Sequence, residues 1–177
     1  MRLVLVGDQF SQMLATFSRS AFRFEQQPVY TVAYEREIFE RYKAGHRDPS
    51  PEVPVLAGWL DQIRRQVAQG KTIERVRIFD EPPTLYQQWE AHASQWNEEA
   101  GEVMHYLTRS QAYEVGLLPA AGDNDWWLFD DTLLMEMSYD EQGRRIHTEL
   151  TDEEASVQQA RSWRDLAVHT ARKVTAQ

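Results

Sequence analysis

The stretch TIERVRIFDEPPTLYQQWEAHASQWNEEAGEVMHYL, residues 72–107, decides the fold class. From Thr72 to Phe79 the side chains alternate, Val76 and Ile78 one way and Arg75 and Arg77 the other, which is the period of a strand. Glu81-Pro82-Pro83 stops that strand, and Thr84 stands where a helix N-cap belongs. Leu85, Trp89, Ala93 and Trp96 then recur at helical spacing until Gly101, and Val103 to Leu107 reads as a short strand.

Working outward, the same two periods continue. Upstream, Met1 to Val6 is apolar enough for a strand, and Asp8 precedes a helical pattern of Phe10, Met13, Leu14, Phe17 and Ala21. Phe22 to Val32 alternates loosely and reads as extended. A charged helix is expected from about Tyr34 to Lys43, ended by Gly45. His46 to Pro54, with three prolines, is a loop too short to separate two domains. Leu56, Trp59, Leu60, Ile63 and Val67 make an amphipathic helix that stops at Gly70. Downstream, Gln111 to Val115 fits one helical turn, Trp126 to Phe129 and Thr132 to Tyr139 fit strands, and Asp140 to Gly143 fits a hairpin turn leading to a strand from Arg144 to Leu150. Thr151 with Glu154 has the form of a capping box, opening a terminal helix whose Ala160, Trp163, Ala167, Thr170 and Val174 share a face. Strands that interleave with helices early and pair as a hairpin late predict an α/β fold, a mixed sheet with packed helices. The chain, residues 1–177, reads as a single domain, with a mainly helical part (1–70) packed on an α/β part (71–177).

Composition bounds the function. A chain of 177 residues, 42% hydrophobic and 11% aromatic, can bury a substantial core. The 28 acidic against 19 basic side chains give a formal charge of −9, which disfavours nucleic acid as a partner because such binding rests on Lys and Arg neutralising phosphates. The absence of cysteine excludes disulfides, thiolate metal sites and thiol nucleophiles. No apolar run reaches membrane-helix length and no signal-peptide core is legible, so a cytoplasmic location without membrane contact is expected.

Catalytic patterns are missing. Gly7 lacks the further glycines of a phosphate loop or dinucleotide fingerprint. The five histidines, His46, His92, His105, His147 and His169, are scattered without a partner motif. No serine sits in a nucleophile elbow. Two constellations stand out instead. Arg75 and Arg77, joined by Arg23, could form an anion-binding face, or could be spent on Glu74, Glu81 or Glu90 as structural ion pairs. Asp130-Asp131 is either a turn between strands or, with Glu90, an acid/base group acting on an anionic substrate that the arginines hold. The tryptophans read mainly as core, but adjacent Trp126 and Trp127 point to opposite faces of a strand, so one of the two could be exposed to a partner.

Several motifs occur in order along the chain: Arg19-Ser20-Ala21-Phe22-Arg23 with Glu25 and Tyr30, Arg75-Val76-Arg77 with Glu81-Pro82 and Tyr86, and Ala100-Gly101-Glu102. Further on stand Trp127-Leu128-Phe129-Asp130-Asp131, Tyr139-Asp140 with Gly143, and Trp163-Arg164-Asp165-Leu166-Ala167. Together they resemble an actinobacterial family of unknown function whose members are commonly encoded beside helix-turn-helix regulators. The stretch from Val103 to Asn124 departs most from it. The C-terminal half is also weakly similar to degenerate phospholipase-D-like domains, but the His-x-Lys of that superfamily is absent, and His169 is followed by Thr170-Ala171. The resemblance implies an accessory to a regulatory system and no catalyst.

The expected ligand-binding set is therefore Arg23, Arg75, Arg77, Tyr86, Glu90, Trp127, Asp130 and Asp131, serving a protein partner or a small anionic ligand. No catalytic residue, cofactor or metal is expected.

Overall fold

Among the described residues seven strands join one sheet, in the order β1-β7-β6-β5-β2-β3-β4. A computed structural model describes residues 2–175 of the chain, with side chains to Lys173. The strands are β1 (Arg2–Val4), β2 (Ser20–Glu25), β3 (Thr72–Phe79), β4 (Val103–Thr108), β5 (Asp125–Phe129), β6 (Leu133–Tyr139) and β7 (Arg145–Thr151). The helices are α1 (Gln9–Thr16), α2 (Arg36–Lys43) after a 3-10 turn at Ala33–Glu35, α3 (Pro54–Ala68), α4 (Leu85–Ala100), α5 (Arg109–Glu114) and α6 (Glu154–Thr175). The fold is α/β with a mixed sheet: β2, β3 and β4 run parallel, while β5, β6, β7 and β1 are antiparallel to their neighbours.

Strand alternation divides the core into two layers. Phe22, Phe24, Val76, Ile78, Trp126 and Leu128 lie on the face covered by α5 and α6. The opposite face carries Ala21, Ile73, Trp127, Phe129, Met135 and Met137, covered by α1, α2, α3 and α4. On that second face the strands also present Arg23, Glu25, Arg75 and Arg77, all buried. Parallel register sets Arg23 beside Arg75 and Glu25 beside Arg77, with Trp127 across from Arg23. The sheet therefore places a polar row under helices in what is otherwise an apolar layer.

Three expectations change. The first helix ends at Thr16 and does not reach Ala21, because Phe17 leaves helical geometry with ψ 152. The Asp130 carboxylate then accepts the Ser18, Arg19 and Ser20 amides and holds the chain as it enters β2. The extended segment after it is regular only to Glu25. The mainly helical first 70 residues also contribute β2, which lies between β5 and β3 in the middle of the sheet. Thr151 does not cap α6: it remains the last residue of β7, with its hydroxyl accepting the Glu153 amide. The side chain of Val174 lies outside the described residues, as does Met1.

Candidate functional site

Helix α4 supplies the ceiling of the site. Thr84 and Gln87 close a reciprocal capping box at its start, and Gly101 ends it in the left-handed region at φ 103. Between those stops Tyr86, Glu90, Ser94 and Asn97 recur at spacings of four and three, which is one helical stripe. That stripe faces the sheet, and Tyr86, Glu90 and Ser94 are buried.

Glu25 is the centre of the network beneath it. Its carboxylate accepts from Arg23 Nε at 2.6 Å, Arg75 Nη1 at 2.9 Å and Arg77 Nε at 2.7 Å. Burial alone would favour protonation, but Arg75, Arg23 and Arg77 hold this carboxyl well below the usual range. Arg75 also donates through Nε to Glu102 at 2.7 Å, and Arg77 donates through Nη1 to the Glu90 carbonyl and to Ser94 Oγ. Arg23 and Arg75 lie over the Trp127 ring at 5.2 and 5.7 Å.

Several groups in this network are left without good partners. Arg23 Nη1 meets only the Met137 thioether at 3.5 Å, a weak acceptor, and Nη2 has only long contacts with Asp125 at 3.4 Å and Tyr139 Oη at 3.5 Å. Arg75 Nη2 makes no hydrogen bond among the described residues. The buried indole N–H of Trp127 has no acceptor. Among the described residues the Glu90 carboxyl has no hydrogen-bond donor and only Arg77 Nη2 at 3.7 Å. Burial, reinforced by Glu25 and Glu35 against the pull of Arg77, pushes it up to about 8.

These groups border one cavity of about 770 Å³. Its polar floor includes Arg23, Arg75, Arg77 and Trp127, while Glu90, Tyr86, Tyr30 and Glu35 stand together on another side. Phe10, Leu14, Leu56 and Trp59 form an apolar wall, and exposed Tyr34, Val55 and Arg145 mark the mouth. The volume falls in the range of small-molecule sites.

Of the residues expected to bind ligand, Arg23, Arg75, Arg77, Tyr86, Glu90 and Trp127 share this cavity. Asp130 and Asp131 do not. They form the β5–β6 turn with φ 54 and 61 and a Thr132 amide to Phe129 carbonyl bond, a type I′ geometry. Asp130 lies past the end of β5 remote from Asp125, about 17 Å along the strand. Its oxygens are spent on three backbone amides, and Asp131 pairs with Arg164. Glu74 and Glu81, weighed as partners of the arginines, instead meet His105 and the Ser110 amide. Neither Trp126 nor Trp127 is exposed, because β5 is an inner strand with both faces covered.

Sequence reasoning missed Glu25, Glu102, Asp125, Tyr30 and Glu35. The first was findable: in Phe22-Arg23-Phe24-Glu25 the alternation that buries the phenylalanines puts the glutamate on the arginine's face. Asp125 receives Tyr30 Oη and the Gln26 amide, and burial pushes its carboxyl up to about 6. Nothing in local pattern pairs it with Tyr30, 95 residues away.

A family model described as a domain of unknown function (DUF6879) matches residues 8–176. The chain belongs to the DUF6879 family. No curated protein matches it. The DUF6879 match includes every residue bordering the cavity. Among the described residues of this DUF6879 chain, no group of three or more His, Asp or Glu side chains is placed to hold a metal ion, and no helix is long and apolar enough to cross a membrane.

Proposed function

We propose that this DUF6879 chain is a non-catalytic small-molecule-binding protein that takes an acceptor-rich, anionic headgroup onto Arg23, Arg75 and Trp127. One observation carries the reading: Arg23 Nη1 has only a thioether, Arg75 Nη2 no acceptor among the described residues and the buried Trp127 indole none, and all three residues line a single cavity. A buried donor without an acceptor, as at the Trp127 indole, costs about 1–3 kcal/mol, so an acceptor that meets it together with the arginine donors gains on binding. The wall of Phe10, Leu14, Leu56 and Trp59 suits an apolar body attached to that headgroup. An accessory role in a regulatory system rests on the motif resemblance alone, as does the actinobacterial setting.

A carboxylate with an apolar body, 3-phenylpropanoate, tests this by isothermal titration. The wild type is expected to bind it at one site, and Arg75→Lys, which keeps the charge but loses the fork, to weaken it about tenfold. Absence of saturable heat at millimolar concentrations from this acid, and from every ligand that joins a carboxylate to the same apolar body, contradicts the reading.

One observation favours a second reading, an enzyme with an anionic substrate. Glu90, raised to about 8, is poised as a proton donor or acceptor at neutral pH. It predicts turnover of a bound ligand, which mass spectrometry of the incubated mixture would detect and a pure binder would not give.

A further inference from the structure

We propose that the ligand of this cavity is a zwitterion, an amino acid or dipeptide with an apolar side chain, its carboxylate on Arg23, Arg75 and Trp127 and its ammonium on Glu90 and Glu35. The inference rests on the ligand-binding reading above and narrows it to a chemical class.

The lining carries two kinds of unfinished hydrogen bonding. Donors are in excess on the floor, at Arg23, Arg75 Nη2 and the Trp127 indole. Acceptors are in excess on the side of α4. Glu90, 6% exposed, has no donor on its carboxyl, and Glu35 receives only Tyr86 Oη at 2.7 Å on one oxygen. A simple anion would finish the first set and leave Glu90 and Glu35, which burial biases toward their protonated forms, without a cationic partner. A simple cation would do the reverse against three guanidinium groups. A zwitterion finishes both, its ammonium taking the place of the proton that Glu90 otherwise holds, so that neither end leaves an uncompensated charge in a buried site, where it is most costly.

The surroundings of each end agree. Tyr30 and Tyr86, whose rings pack at 6.0 Å, line the cavity near Glu90, aromatic neighbours of the kind that favours an ammonium group. A forked guanidinium with free Nη atoms favours a carboxylate. The Arg77 guanidinium lies between the halves, tied to Glu25 on one side and to the Glu90 carbonyl on the other. The apolar wall from α1 and α3 then receives the side chain.

The test compares L-phenylalanine, leucyl-phenylalanine, 3-phenylpropanoate and 2-phenylethylamine by isothermal titration on the full chain, as wild type, Glu90→Gln and Glu35→Gln. At least one zwitterion is expected to bind about tenfold or more tighter than the acid and the amine. Glu90→Gln is expected to abolish most of that preference by weakening the zwitterion while leaving the acid unchanged or tighter. Should Glu90→Gln fail to fold by circular dichroism, Glu35→Gln takes its place with the same expectation. Equal binding of acid and zwitterion, or of amine and zwitterion, overturns the inference; the first leaves the anion-binding reading standing. A zwitterion preference unmoved by the folded glutamine variants also overturns it. No binding of any of the four overturns both.

Discussion

Three guanidinium groups around the single Glu25 carboxylate are costly to bury, and such clusters are weak evidence for stability in themselves. Their arrangement makes sense as a scaffold that fixes Arg23 and Arg75 with some donors free. Glu90 is the residue whose protonation state the same scaffold sets. It faces Arg77 and Glu25 from the sheet, Tyr86 from its own helix, and Glu35 and Tyr30 from the segment between β2 and α2. Folded Glu90 holds its proton up to about 8, whereas an unfolded glutamate loses it near about 4.3. The folded state therefore binds the extra proton between those values, and stability falls as pH rises through that window. Asp125, raised to about 6, acts in the same sense over a narrower range. Glu25, held low, acts in the opposite sense and only in acid. Melting temperature is accordingly expected to be higher at pH 5.5 than at pH 8.5, and Glu90→Gln to shrink that difference. An unchanged difference in the variant would show that Glu90 does not carry the proton.

Elements position these residues through a few local contacts. The β6–β7 turn is one: Gly143 has φ 74, its carbonyl accepts the Thr31 amide at 2.9 Å, and the Gln142 carbonyl accepts Thr31 Oγ1 at 2.6 Å. A Cβ on Gly143 would stand 2.3 Å from the Val29 carbonyl oxygen. Gly143→Ala thus meets both backbone strain and a backbone clash, and is expected to cost on the order of 2 kcal/mol or more in chemical denaturation. Because the clash falls beside Tyr30, ligand affinity should drop with it; a variant as stable as wild type would contradict this account of the turn. The elements themselves were largely legible. β3, α4 and the β6–β7 hairpin stand where period, cap and glycine place them, since each is fixed by neighbours in sequence. The first helix overran because Ala21 continues its spacing, while the group that ends it, Asp130, is 112 residues from the Ser18 amide that it holds.

Across the whole molecule, the parallel core of β2, β3 and β4 and the antiparallel wing from β5 outward meet at the β2–β5 pair, where Arg23 stands opposite Trp127. The cavity lies on the face beside that seam. This explains what could be read in advance: alternation showed which arginines share a face of their own strand, but only strand order could say that Asp130 belongs to the far end of the seam and Asp125 to the near one. The claim that the cavity takes a ligand through its free donors is tested most directly at the Trp127 indole. Among the described residues three buried indoles lack acceptors, Trp89, Trp126 and Trp127, and of these Trp127 alone borders the cavity. In ¹⁵N–¹H spectra, with Trp127→Phe used to assign the peak, titration with 3-phenylpropanoate or L-phenylalanine is predicted to shift the Trp127 indole resonance saturably while those of Trp89 and Trp126 hold still. A Trp127 resonance that does not move at saturating ligand, or that moves only together with the other two, would contradict the account.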